Sequence, residues 1–162
     1  MRLAIHLAAV LLLAAVAPVQ AQTGDEAEIR AVIETFRTAI IAKDKAALDR
    51  LPASDGISFV SAIDPATLAR VRQRRPEAKR LQIGSYAEFV AEITTSKVMQ
   101  EEIFSNITIR SDGSVAAVTF DYDFRENGVV TNSGLESWGL VHGDDGWKIA
   151  SIIYSLSVPE AP

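Results

Sequence analysis

Apolar positions along this chain recur with two different periods, and the change between them divides it. Ile29, Val32, Ile33, Phe36 and Ile40 are spaced at three and four residues, while Glu28, Arg30, Glu34 and Arg37 lie mostly off that stripe. The spacing predicts an amphipathic helix over residues 25–42. Asp25 followed by Glu28 predicts a capping box at its start. Lys43 and Asp44 break the stripe; Asp44 can cap a short second helix reaching Leu51, with Pro52 just beyond its end. Residues 57–63 read as a short strand. Ser85 and Glu88 form a second capping-box pattern, opening a helix that carries Tyr86, Phe89, Val90 and Ile93. From Lys97 onward the period is two. Asp112-Gly113 and Asn127-Gly128 are strong hairpin turns separating three strands, and residues 143–146 turn into a fourth. The order is helix, helix, strand, helix, then a four-strand antiparallel meander: an α+β layout with helices on one face of a sheet.

Two-residue turns fix the pairing, so parity can be followed from strand to strand. Ile103, Ile107, Ile109, Val118, Phe120 and Tyr122 then share one face, and Thr108, Thr119, Asp121 and Asp123 the other. Carried on without interruption, the same parity sets Trp138, Leu140, Trp147, Ile149 and Ile153 beside the aspartates. Either both faces are partly buried or the register shifts by one. Glycine inside a strand often marks such a bulge; Gly134 or Gly139 could host it, and one is expected near Gly134.

The shift matters for chemistry, because Asp121, Asp123 and Glu136 are the clustered carboxylates of the sheet. Straight pairing sets Glu136 opposite Thr119 and Asp123 opposite Asn132. A bulge would turn Glu136 inward, where burial raises a carboxylate's pKa and makes a candidate general base. Asp121 is the other candidate base. The alternative leaves all three solvated or at a dimer edge.

The chain of 162 residues opens with Arg2 and an apolar run to Val19 broken only by His6. With Val19-Gln20-Ala21 at its end, this stretch resembles a secretory signal peptide. The expected layout is a leader over residues 1–21, cleaved near Ala21, and one domain over 22–162, placed in the periplasm or outside the cell. The alternative is an uncleaved anchor, for which the run is near the lower limit for crossing ~30 Å of hydrocarbon. Cleavage would leave 141 residues and move the net charge from −5 to −6, since Arg2 is the leader's one charged residue. A mildly acidic domain of that size can bury a real core and does not have the charge of a general nucleic-acid binder.

The absence of cysteine excludes disulfides, thiolate metal sites and a lipid-modified N-terminal cysteine. One histidine beyond the leader, His142 beside a turn, argues against a Ser-His-Asp triad and against zinc. Asp144-Asp145-Gly146 lacks the alternating carboxylates of a calcium loop and reads as turn chemistry. There is no glycine-rich phosphate loop, and no cofactor is expected. Asn106-Ile107-Thr108 matches a glycosylation sequon, set aside in a bacterial-looking secreted chain. Residues 64–84 are basic, with Arg70, Arg72, Arg74, Arg75, Lys79 and Arg80. They read either as an anion-binding or membrane-surface patch over 70–80 or as a solvated helix and loop over the mouth of the domain.

The layout, with Gly134-Leu-Glu136-Ser-Trp138-Gly-Leu-Val141 and Asp145-Gly146-Trp-Lys-Ile-Ala-Ser151 near the end, resembles the SnoaL-like members of the nuclear-transport-factor-2-like superfamily over roughly residues 25–156. The resemblance implies a cone: a curved antiparallel sheet wrapped around the N-terminal helices, cystatin-like, with a pocket at its open end and a homodimer through the outer sheet face. Some members are enzymes, among them ketosteroid isomerases, dehydratases and polyketide cyclases; others bind or assemble. An isomerase of that kind needs a base after the second helix and an oxyanion hole of a tyrosine and a protonated aspartic acid. Here the tyrosine position falls on Phe36, the base on or beside Val60, and the acid on Trp138. None can move a proton, so steroid isomerase activity is not expected. The departures imply an apolar pocket lined by Phe36, Ile40, Phe59, Phe89 and Trp138, unless these side chains fill the cone. The leading expectation is non-catalytic binding of a small apolar ligand or an accessory dimeric role. The alternative is a lyase, isomerase or hydrolase using Glu136 or Asp121 as base.

Overall fold

The structure, a computed structural model, describes residues 19–160, and of residues 19–23 the backbone only. The leader expected over residues 1–21 lies outside the described residues except for the backbone of its last three. Helix α1 (Val19–Ala42) is longer than its stripe predicts. Asp25 is therefore inside the helix and caps nothing; its carboxylate accepts from Ser111 Oγ at 3.1 Å. The stripe behaves as its spacing requires, with Ile29, Ile33, Phe36 and Ile40 all buried. Asp44 caps α2 (Lys45–Asp49) by accepting the Ala47 N–H at 2.9 Å.

Strand β1 (Ser58–Ile63) leads into α3 (Pro65–Arg74), which Asp64 caps with Pro65 in the first turn. A short strand β2 (Leu81–Gly84) follows, exposed at every position. Helix α4 (Tyr86–Thr95) opens on the expected capping box of Ser85 and Glu88. The meander is β3 (Gln100–Ser111), β4 (Val115–Glu126), β5 (Val129–Gly143) and β6 (Gly146–Leu156). The sheet has six strands in the order β2-β1-β6-β5-β4-β3. It is mixed rather than wholly antiparallel, because β1 joins β6 in parallel and so covers what would be an open edge. The basic segment divides between α3, which buries Thr67 and Leu68, and the stretch after it; Arg72 of α3 donates to the Ala78 carbonyl and Arg80 to that of Ile63.

Two bulges decide which side chains point inward. On β3, Thr108 pairs with Thr119 and Ser105 with Asp121, so Asn106 and Ile107 together oppose Phe120. Asn106 sits at φ 54°, the left-handed region that asparagine tolerates better than most residues. Beyond this bulge the parity reverses: Ile103 pairs with Asp123 on the outer face, and Glu102 and Phe104 take the inner positions beside Phe124 and Tyr122. On β5, Val130 pairs with Arg125 but Asn132 with Phe124, leaving Thr131 as the extra residue. From Asn132 to Val141 the pairing with β4 is unbroken. The expected register shift is present, but at Thr131 rather than near Gly134. Gly134 is required for another reason, since a Cβ there would stand 2.1 Å from the Ser155 carbonyl oxygen. The shift moves Trp138 and Leu140 off the aspartate face to lie opposite Val118 and Ala116. An extra residue at Ala150 on β6 likewise brings Ile149 opposite Leu140, while Ile153 stays on the outer face, 53% exposed.

Candidate functional site

The same two bulges bring two carboxylates together. Glu102 lies opposite Phe124, and Glu136 opposite Phe120 on one side and Tyr154 on the other. Tyr122 sits between them on β4, two residues from each partner. Both glutamates are buried, at 5% and 4% exposure, and both line a cavity of about 230 Å3. That is room for roughly eight water molecules at their volume in the liquid. Phe36, Phe59, Phe89, Phe124 and Tyr154 form much of its wall, and Glu92 of α4 also borders it. The wall is continuous: Phe36 and Phe89 stack with centroids 5.6 Å apart, Phe59 lies 5.5 Å from Phe89, and Tyr154 meets Phe59 edge-on at 5.6 Å.

The electrostatics follow from burial. Glu102 is held well above the ordinary carboxylate range, first by burial, then by the charge of Glu136 and a hydrogen bond to it. Glu136 is pushed up to about 7, with burial outweighing two donors, the Trp138 indole and the Glu102 carboxyl. Trp138 Nε1–H donates to Glu136 Oε1 at 2.5 Å. Two carboxyls in contact inside an aromatic cavity do not both ionise, so the pair keeps a proton at neutral pH. The two carboxyls titrate as a unit around that one proton. Burial also raises Tyr122, whose hydroxyl donates to the Ser155 carbonyl at 3.0 Å. Tyr154 is raised by burial, opposed by a hydrogen bond with Ser61. The arrangement offers a base that ionises near neutrality beside a protonated acid. Among the described residues, no three His, Asp or Glu side chains come together in a way that would hold a metal ion.

Of the pocket residues read from the sequence, Phe36, Phe59 and Phe89 line the cavity. Ile40 and Trp138 do not; both are fully buried behind its wall, where Trp138 packs edge-on against Phe36 and Phe120 at 5.0 and 5.2 Å. Of the two candidate bases, Glu136 is inward and Asp121 is not. Asp121 lies exposed on the outer face and accepts from Asn106 Nδ2 at 2.6 Å, so it leaves the candidate set. Glu102 was not singled out by sequence reasoning. Its signal was the asparagine inside the strand pattern, which places the β3 bulge and reverses the parity of everything before it. Val60 points to the outer face with Ile153 and Ile83, and Phe59 takes the cavity side. His142 lies far from the cavity, beside the last hairpin turn, 3.8 Å from the Glu28 carboxylate.

No family model and no curated protein matches this sequence. Solved structures do match its fold. An NTF2-like protein of unknown function from Silicibacter pomeroyi is 17% identical with a TM-score of 0.60, covering 84% of this chain and 98% of that one. The fold is NTF2-like. An NTF2-like protein with a cystatin-like fold from Novosphingobium aromaticivorans is 17% identical at a TM-score of 0.61, with 86% of each chain covered. A protein of unknown function from Mycobacterium tuberculosis is 16% identical at 0.64, covering 89% of this chain and 78% of that one. At this identity the NTF2-like likeness extends to architecture and stops there: helices over a curved, unclosed sheet, the α+β class that the sequence pattern implies.

Proposed function

We propose that the cavity is an acid–base site for a small, largely apolar molecule, with Glu136 as the base and Glu102 as the acid. The observation that carries this is the burial of two touching glutamates at the end of an aromatic cavity, with Glu136 titrating near neutrality. Proton removal by Glu136 from a carbon beside a polarised group, with a proton returned from Glu102, is the chemistry of an isomerase or a lyase. Burial favours this over simple binding, because a site that only held an apolar molecule would gain nothing from two desolvated carboxyls.

The test is solvent-deuterium incorporation into a panel of small cyclic ketones, uncharged and bearing a quaternary ammonium group, followed by proton NMR. Glu136→Gln keeps the shape and an acceptor for Trp138 but cannot take a proton. It is expected to slow exchange ~100-fold or more. Exchange unchanged in Glu136→Gln would leave the binding role as the reading of the cavity.

A second copy of the chain is the proposed partner of the outer face. Leu81, Ile83, Leu135 and Ile153 are between 53% and 80% exposed there, carried by β2, β5 and β6 within the run β2-β1-β6-β5. Such a patch on a sheet face marks an interface. Sedimentation of the mature chain is expected to give a dimer that Ile153→Lys splits into monomers.

A further inference from the structure

The lining of the cavity is one-sided in charge. Glu92, Glu102 and Glu136 border it, and among the described residues no lysine, arginine or histidine does. Its remaining polar groups are the amide of Asn132 and the hydroxyls of Tyr122 and Tyr154. The Tyr122 hydroxyl is already spent on the Ser155 carbonyl. An enolate or any other oxyanion would find no cationic partner among these side chains, and would face the repulsion of Glu136. A positive charge would find aromatic faces, whose quadrupoles attract cations, the buried negative charge of the Glu102–Glu136 pair, and the exposed carboxylate of Glu92 at the rim.

We infer that the molecule this cavity takes is a small organic cation, a positive nitrogen on an apolar body, held against the faces of Phe36, Phe59 and Phe89 in the field of Glu92, Glu102 and Glu136. The inference rests on the acid–base reading for its site and adds the charge of the ligand. It also serves that chemistry. A positive nitrogen acidifies the C–H groups next to it, and its charge favours the ionised, proton-accepting form of Glu136.

The groups facing Glu136 from the packed elements are Glu92 of α4, Glu102 of β3, Tyr122 of β4 and Tyr154 of β6. Each is neutral or negative when deprotonated, so proton and cation compete for the same net charge. Below the Glu136 transition, at about 7, each cation bound must displace a proton. Cation affinity then rises with pH up to about tenfold per unit, while a neutral ligand shows no such slope.

The probes are choline and its uncharged carbon isostere, 3,3-dimethyl-1-butanol, titrated calorimetrically into the full mature chain at pH 6 and pH 8. Choline is expected to bind about tenfold more tightly than the alcohol at pH 8. Its advantage should shrink at pH 6, with release of close to one proton per cation, read from two buffers of different ionisation enthalpy. Glu136→Gln, which removes the charge of the pair, should weaken choline at least fivefold and leave the alcohol unchanged. Equal binding of the two probes, or binding of neither, overturns the inference. The acid–base reading is checked apart from any ligand, by 13C NMR of glutamate carboxyls in the free protein. A carboxyl with a midpoint near 7 keeps that reading even when choline fails, and ordinary midpoints for every glutamate remove both.

Discussion

The inner face of the sheet has two ends made from the same strands and filled by different chemistry. Toward the β3–β4 and β5–β6 turns it is occupied by Ala116, Val118, Leu140, Trp147 and Ile149, all buried and apolar, in one core with Ile29 and Ile33 of α1. Toward the far end the inner positions are Glu102, Tyr122, Glu136 and Tyr154, around a cavity. The difference shows how carboxyls come to be buried. A strand alternates strictly, so whatever turns Trp138 inward also turns Glu136 inward two residues away, and Phe104 does the same for Glu102. The bulges at Thr131 and Asn106 are favoured by the large side chains they bury, at about 25 cal/mol per Å2 of apolar surface. The glutamates are carried along, and their desolvation is offset by each other and by the Trp138 N–H.

If this is right, Trp138 couples the two ends, and its loss has the largest effect. Trp138→Ala is expected to lower stability by about 3–5 kcal/mol and to raise the Glu136 pKa further, since it removes the donor that favours ionisation. Phe89→Ala, at a half-buried position of the cavity wall, should cost less and leave that pKa raised by burial. Denaturant unfolding with carboxyl NMR reads both quantities. A Trp138→Ala protein whose glutamates titrate as in the parent would uncouple the ends.

The pH profile of stability separates them next. A carboxyl whose folded pKa lies above its unfolded value contributes stability that is present below the unfolded pKa and lost as pH rises through the folded one. For Glu136 that window runs from the ordinary glutamate value of 4.5 to about 7, and the raised Glu102 extends it upward. Asp112, held low by the N–H groups of Val115 and Ser114, acts in the opposite sense and only in acid. The melting temperature is therefore expected to fall from pH 5 to pH 8. Glu136→Gln should flatten that fall and melt higher than the parent at pH 8. A parent profile level over this range would mean that the pair is not desolvated.

Much of this architecture was legible in the sequence, and the limits have physical causes. The hairpin turns, the Asp44 cap, the Ser85–Glu88 capping box and the apolar stripe of α1 rest on local chemistry and read directly, whereas the capping box expected at Asp25 does not form. The misplacement of Trp138 beside the aspartates was itself the sign of a shifted register, and it gave Glu136 a conditional inward role. Its location was missed because two glycines drew attention, whereas the extra residue is Thr131, an ordinary strand former. Strand β2 was not read because Leu81–Gly84 is too short a run to establish a period and lies inside the basic segment. Glu102 was missed because unbroken parity put Ile103 inside in its place. The start of α1 was obscured because residues 19–21 also end a leader-like run.

Gly134 tests how tightly the open end is built. An added Cβ would meet backbone at 2.1 Å rather than a flexible side-chain tip, so β5 and β6 must part locally. Gly134→Ala is expected to cost about 1–3 kcal/mol. It should also disturb the Ser155 carbonyl that Tyr122 donates to. At Gly139 the nearest atom is the Ser151 hydroxyl at 2.8 Å, which can rotate away, so Gly139→Ala should cost less. Equal costs at the two glycines would argue against a specially close approach at the open end.

The smallest expected change is the most diagnostic, because it touches neither end directly. Asn106→Gly keeps the positive φ available and gives up only a hydrogen bond to exposed Asp121, so stability should move by a few tenths of a kcal/mol. Asn106→Val asks a β-branched residue to hold φ 54°, at a cost of about 1–2 kcal/mol. The strand can relieve that strain by giving up the bulge, which returns Ile103 to the inner face and swings Glu102 out to solvent. Glu136 would remain buried and raised, but alone. In carboxyl NMR the two coupled steps should then collapse toward one buried transition and one ordinary exposed one. Coupled titration persisting in Asn106→Val would mean that the bulge is held by the burial of Phe104 rather than by asparagine's tolerance of its backbone.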